Sequence, residues 1–313
     1  GHLWPEEDTS SRPYFPSPWT GLMDAAIPAC RVGILGTSLS AIDAAVAVVC
    51  QHGAFTADAD GELLFQRHPQ SQNLTLTLMS RTGVLPEADF YCPLPYEPLD
   101  IVTDAALERA IAQGAQGLLD RVFSLIVQEL QHAAPGWCEQ IALEQLTADT
   151  FADAWFAERK KHDPFAWARL NLLEVERNKQ VQHTVPWRYA LLRLHEVIEE
   201  VVPHLEDHDR TRFKRGLARV FIDNYAAIPS ESIRRLLALH EAGLMEILAL
   251  GNEYERYDEP TKTVIVHHGQ RREYDLFINA RGQKPLKSKD IPFPSLRHQL
   301  LACGDDIPDI GED

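Results

Sequence analysis

Apolar and polar positions change their period several times along the chain. Arg31-Val32-Gly33-Ile34-Leu35 is a short apolar run of the kind a buried strand needs. It breaks at Gly36 into Ser40-Ala41-Ile42-Asp43-Ala44-Ala45-Val46-Ala47-Val48-Val49, small and apolar residues suited to a helix packed on a sheet. Gly53 stops that helix. About twenty loop-like residues follow, through "AFTADADGELLFQRHPQSQ", and Leu74-Thr75-Leu76-Thr77-Leu78-Met79 then alternates as a strand does. The pattern predicts β-α-β with an insertion before the second strand.

From about Asp104 the spacing becomes helical. "DAALERAIAQGAQGLLDRVFSLIVQELQH" carries apolar residues at Leu107, Ile111, Leu118, Val122, Ile126 and Leu130. Further helices are predicted over about Phe151–Lys161, Pro164–Val181, Trp187–Val202 and Arg210–Asn224, and over Ser230–Ala242 with Ser230 as N-cap and Gly243 as the stop. Strands return at Met245–Leu250, Thr263–Val266 and Tyr274–Asn279. Strand–helix–strand, a helical block, then strands again predicts an α/β fold: a Rossmann-like dinucleotide-binding domain carrying a large helical insertion.

The turn after the first strand is the first candidate site. A dinucleotide cradle uses Gly-x-Gly-x-x-Gly, and this chain has Gly36-Thr37-Ser38-Leu39-Ser40-Ala41. Gly36 meets the need for a tight turn, and Ala41 is small enough for close helix–strand packing. Ser38 stands where the second glycine lets backbone approach the pyrophosphate, although its hydroxyl can donate to a phosphate oxygen. The motif therefore reads either as a phosphate cradle or as a βα turn without ligand. The second strand ends in Ser80-Arg81, with no acidic residue to hold a ribose 2′-hydroxyl. A hydroxyl and a guanidinium fork there suit the 2′-phosphate of NADP(H), and the plain reading of Arg81 is a surface arginine. S-adenosylmethionine would prefer an acidic residue at that strand end.

The charge balance narrows the partners. Thirty Lys and Arg against 46 Asp and Glu give a net charge of −16, which argues against nucleic acid and anionic membrane. No apolar run approaches the ~18 residues of a membrane span. Five scattered cysteines (Cys30, Cys50, Cys92, Cys138, Cys303) without C-x-x-C spacing predict reduced thiols in a cytoplasmic protein and no zinc site. His204 and His208, in "PHLEDHD", read as a solvated turn rather than a metal pair. Arg210, Arg212, Lys214, Arg215 and Arg219 read as one basic helix face, either solvated or turned to an anionic substrate or partner domain. His267-His268 reads as structural or exposed. No residue takes an acid–base role.

"GILGTSLSAIDAAVAV", "LTLMSRTGVLP", "IPSESIRRLLALHEAGLMEILALG" and "YDLFINARG" resemble, in that order, a bacterial FAD/NAD(P)-binding family of flavin oxidoreductases. The resemblance implies a flavoprotein with two dinucleotide-binding domains, in which the NAD(P) domain interrupts a split FAD domain. Gly1-His2-Leu3-Trp4-Pro5 resembles the end of the first FAD segment, and Asp275–Gly282 the return motif, with Arg281 in place of a threonine. Asp223–Pro229 departs from a His/Arg-rich segment of the family, so no role is carried over there. Both chain ends read as cut from something longer. The resemblance divides the chain into a lead-in (1–26), a Rossmann-like NAD(P)-binding unit (27–103), a helical insertion (104–243), returning strands (244–282) and the start of the return to the FAD domain (283–313). It implies NADP(H) held by backbone near Gly36–Ser40 and by Ser80 and Arg81. FAD is expected in the longer protein, bound with the missing FAD domain of the same polypeptide, and a small molecule is the substrate. Pro16-Ser17-Pro18-Trp19 reads as a packed linker. The alternative is a non-catalytic scaffold whose helical block binds a protein partner.

Overall fold

A computed structural model describes residues 14–15, 21–22 and 25–281. Gly1–Pro5, Pro16–Trp19, Gly282, Cys303 and the segment 283–313 lie outside the described residues. The chain divides into two compact units. Among the described residues, one unit comprises those up to Thr56, Phe65–Arg81 and those from Ala242 to Arg281; the other comprises Ala57–Leu64 and Thr82–Glu241.

The first unit is built on a parallel sheet of β1 (Tyr14–Phe15), β2 (Arg31–Leu35), β5 (Thr75–Ser80), β6 (Met245–Ala249) and β10 (Leu276–Asn279), in the order β1-β10-β2-β5-β6. β2 and β5 are nearly all buried, as the apolar runs require of strands covered on both faces. α1 (Leu39–Val49) lays Ala41, Ile42, Ala44, Ala45, Val48 and Val49 into the core. Gly33 sits mid-strand because a Cβ there would lie 2.8 Å from the Phe277 and Tyr274 rings and 2.9 Å from the Met79 methyl. After β2 the chain lays β5 and β6 on one side of it and β10 on the other. The strand order therefore reverses between β2 and β10, the place where open parallel sheets form a ligand crevice at their carboxyl ends.

Two connections differ from the sequence expectation. The loop-like insertion is a pair of strands, β3 (Gly53–Ala57) and β4 (Leu63–Arg67), joined by a turn in which the Asp58 carboxylate accepts from the Asp60 and Glu62 amides, each at 2.9 Å. Between β6 and β10 lies an antiparallel meander of β7 (Glu255–Asp258), β8 (Thr263–His267) and β9 (Gln270–Tyr274). The expected strand Tyr274–Asn279 is thus two elements, with Tyr274 ending the meander and Leu276 opening β10. Ile265, Tyr274 and Phe277 pack with Leu35 and Met79 in one apolar cluster. His267 closes β8 and His268 turns the chain at φ 49°.

The second unit is helical: α2 (Asp104–Ala112), α3 (Leu118–Ala133), α4 (Pro135–Gln140), α5 (Phe151–Ala157), α6 (Pro164–Gln180), α7 (Pro186–Ile198), α8 (Asp207–Arg215), α9 (Leu217–Tyr225) and α10 (Ser230–Glu241). Leu118, Val122, Ile126, Phe151, Leu191, Leu194 and Phe221 are among the apolar residues of its core. Trp137 and Trp187 stack at 4.8 Å on the rim of that core, with Trp155 edge-on to Trp187 at 5.3 Å. Two stretches expected as single helices are broken by glycine. Gly114 and Gly117, at φ 97° and 67°, separate α2 from α3. Gly216, at φ −112° and ψ −96°, separates α8 from α9, and the site requires glycine because a Cβ there would lie 2.5 Å from the Ala148 carbonyl oxygen. Ser230 is the first residue of α10 rather than its cap: the Pro229 carbonyl accepts the first helical amide, from Ser232 at 2.9 Å, and Ser230 Oγ accepts from Lys179 Nζ at 3.1 Å. Gly243 ends the segment at φ 69°, as expected.

Candidate functional site

Gly36 leaves β2 at φ 132°, a conformation that side chains rarely adopt, and its amide donates to the Met79 carbonyl at 2.7 Å. A Cβ on Gly36 would stand 3.1 Å from the backbone carbonyl of Ala280, so space as well as conformation demands glycine. Thr37 is half-buried and leads to Ser38, the N-cap of α1. Ser38 is extended (φ −75°, ψ 179°), exposed, and makes no side-chain capping hydrogen bond, so the helix does not use its hydroxyl. Leu39 is exposed and Ser40 half-buried, while Ala41 is fully buried at the helix–sheet contact. The first amides of any helix lack intrahelical acceptors, and α1 has no acidic residue in its first turn to compete with an anion there.

Ser80 and Arg81 close β5, the hydrogen-bonded neighbour of β2, so both candidate segments sit at carboxyl ends of adjacent parallel strands, roughly 4.8 Å apart. Their backbone is fixed from β6: the Ser80 carbonyl accepts from Leu250 at 2.8 Å and the Arg81 carbonyl from Gly251 at 2.9 Å. The Arg81 side chain is exposed and pairs with no carboxylate among the described residues. On the other flank of the turn, β10 ends in Asn279, Ala280 and Arg281. The sequence pattern marked Arg281 only as a departure from a motif; the strand order brings it beside Gly36.

The helical unit holds a different charged group, invisible to the sequence pattern. Glu87 Oε2 pairs with Arg188 at 2.5 Å, and Oε1 accepts from Trp167 Nε1 at 2.8 Å with Arg159 at 3.9 Å. Arg159 also pairs with Asp223, which accepts from Trp155 Nε1 at 2.8 Å. Burial works to raise the Glu87 pKa, but Arg188 and Arg159 outweigh it and hold the carboxyl below its ordinary value. For Asp223 burial wins over Arg159, Glu87 adds repulsion, and its pKa is raised.

The expected basic face of Arg210–Arg219 is not one face. It is cut at Gly216, and Arg212 is engaged by Asp120, Asp149 and Asp209 at 2.7, 2.7 and 2.8 Å. A cavity of about 330 Å³ lies there, lined by Asp149, His208, Thr211, Arg212, Arg215 and Gly216. His204 and His208 are exposed, on a short turn of helix and on α8. Among the described residues no three His, Cys, Asp or Glu side chains are placed to hold a metal ion, and no helix is long and apolar enough to cross a membrane. Cys30, Cys50, Cys92 and Cys138 are free thiols.

Two comparisons with known proteins find similarity, one over part of the helical unit and one over the length of the chain. Residues 103–225 match the family model of a YdhS-like middle domain. Over 313 residues the chain is 62% identical to a protein of Escherichia coli (strain K12) named "Uncharacterized protein YdhS". The match takes in 100% of this chain and 59% of that relative, so the chain spans little more than half the length of the curated protein it matches.

Proposed function

We propose that this chain supplies the NADP(H)-binding part of a FAD-dependent oxidoreductase. The observation that carries the reading is the convergence, at the carboxyl ends of neighbouring parallel strands, of the Gly36 turn, the N-terminal end of α1 and Arg81. The pyrophosphate would lie against backbone at Gly36, Thr37, Ser38, Leu39 and Ser40, with Ala41 keeping the helix close to the sheet. Ser80 and Arg81 would hold the 2′-phosphate. When bound, NADPH supplies a hydride; the FAD of the longer polypeptide would accept it and pass electrons to a small molecule by reduction or oxygenation. The chain's own contribution is to bind and orient the nucleotide.

Calorimetric titration of the chain with NADPH and NADH tests this. NADPH binds in preference to NADH, and Arg81→Ala removes the preference while the unfolding midpoint stays put. Absence of binding of either nucleotide by a folded sample, and by the full-length protein, would overturn it. That result would favour the second reading, a scaffold whose helical unit meets a protein partner. The exposed Leu170 (59%) and Leu173 (63%) on α6 support that alternative.

A further inference from the structure

Strand order places a second arginine at the turn. The Ala280 amide donates to the Leu35 carbonyl at 2.8 Å, which carries β10 to the very end of β2. The hypothetical Cβ of Gly36 lies 3.4 Å from the Arg281 amide nitrogen, so the backbone of Arg281 abuts the turn. Its side chain is exposed, and both its amide and its Nε face one neutral oxygen, Asn279 Oδ1, at 3.3 and 3.4 Å. No carboxylate pairs with it among the described residues, in a chain where acidic residues outnumber basic ones by 46 to 30. A carbonyl oxygen orients a guanidinium without neutralising it, which leaves the charge for an anion.

We propose that Arg281 anchors the diphosphate of the bound nucleotide, from the side of the turn opposite Arg81. The assignment rests on the nucleotide reading above and divides the labour within it. The sheet's order reverses between β2 and β10, so a diphosphate over the end of α1 lies in the crevice that β10 borders, whereas Arg81 stands on β5, across β2. A guanidinium fork engages two phosphate oxygens in a fixed planar geometry that an ammonium lacks. Arg281 therefore reads the part common to NADPH and NADH, and Arg81 the 2′-phosphate that distinguishes them.

The test is calorimetric titration of the full-length polypeptide with ADP-ribose and 2′-phospho-ADP-ribose, probes that carry the diphosphate but no hydride. Arg281→Thr weakens both probes by the same factor, about tenfold or more. Arg281→Lys restores part of that loss, and inorganic pyrophosphate competes with either probe only while Arg281 is present. Arg81→Ala weakens the phosphorylated probe alone. Unchanged affinity in Arg281→Thr, beside a wild-type protein that binds both probes, would sink the assignment and leave the nucleotide reading standing. A wild-type protein that binds neither probe would overturn both.

Discussion

The arginines of the two units sit in opposite circumstances. Arg159 and Arg188 of the helical unit are buried, and each is matched to a carboxylate, Glu87 or Asp223, that also accepts an indole N–H bond. Arg81 and Arg281 of the sheet unit are exposed at strand ends with no carboxylate partner among the described residues. A buried guanidinium is tolerable only where charge and hydrogen bonds are both satisfied, so the first pair is committed to the fold. An exposed one keeps its hydration and its donors, and is available to a ligand. Residue type alone does not separate structural from binding arginines; what faces the fork does.

Removing the partner from the buried group should have the largest effect. Glu87→Ala strands the buried Arg188 guanidinium and takes the second of two carboxylates from Arg159, and should cost about 3–5 kcal/mol in denaturant unfolding. Asp223→Asn should cost less, because Glu87 keeps its place between Arg188 and Arg159 and the amide leaves Arg188 fully paired. Equal losses would break the distinction drawn between the two carboxylates.

Next comes the turn itself. Gly36→Val forces a branched side chain into φ 132° against the Ala280 carbonyl and should destabilise by about 1–3 kcal/mol, visible as a lowered denaturation midpoint. A variant as stable as the parent would show that β2 and β10 can part at the crevice.

The same two carboxylates predict opposite pH slopes. Glu87 has a lowered folded-state pKa, so its contribution is present above its unfolded pKa and disappears as pH falls through the folded value. Asp223 has a raised pKa, so its contribution is present below its unfolded pKa and disappears as pH rises through the folded value. Stability measured against pH should therefore lose part of its acid-side decline in Glu87→Gln and part of its decline at higher pH in Asp223→Asn. Matching profiles for the two variants would contradict these directions. The smallest structural effect belongs to Arg81→Ala, which should leave the unfolding free energy within about 0.5 kcal/mol of the parent. A larger loss would put Arg81 with the buried pair.

How far these features could be read from sequence depends on how local their cause is. β2 and α1 announce themselves because an apolar run and a small-residue helix are local patterns, and Gly36 marks their junction. β7 and β9, "ERYD" and "QRREY", escape because they lie on an exposed meander whose outward positions are polar and whose pairing is supplied by β8. Gly216 looks like an ordinary helical residue until the Ala148 carbonyl arrives from another element. The Glu87–Arg159 contact and the approach of Arg281 to Gly36 join residues distant in the chain, and no spacing rule encodes such pairs. The glycine turn and Ser80-Arg81 were legible as candidates because a βαβ unit brings its two strand ends together by construction.

The placement of the helical unit between β5 and β6 also sets an order of events in time. Thr77 Oγ1 donates to Glu246 across 169 residues, and the Arg31 amide meets the Asp275 carboxylate across 244. During synthesis β2 and β5 emerge long before either of their outer neighbours exists. Two hydrophobic strands with open edges must then wait while the whole helical unit is made and packs through its own shorter-range contacts. The junction where the Arg281 backbone abuts the Gly36 turn is therefore among the last features of the sheet to form, completed only when β10 docks beside β2.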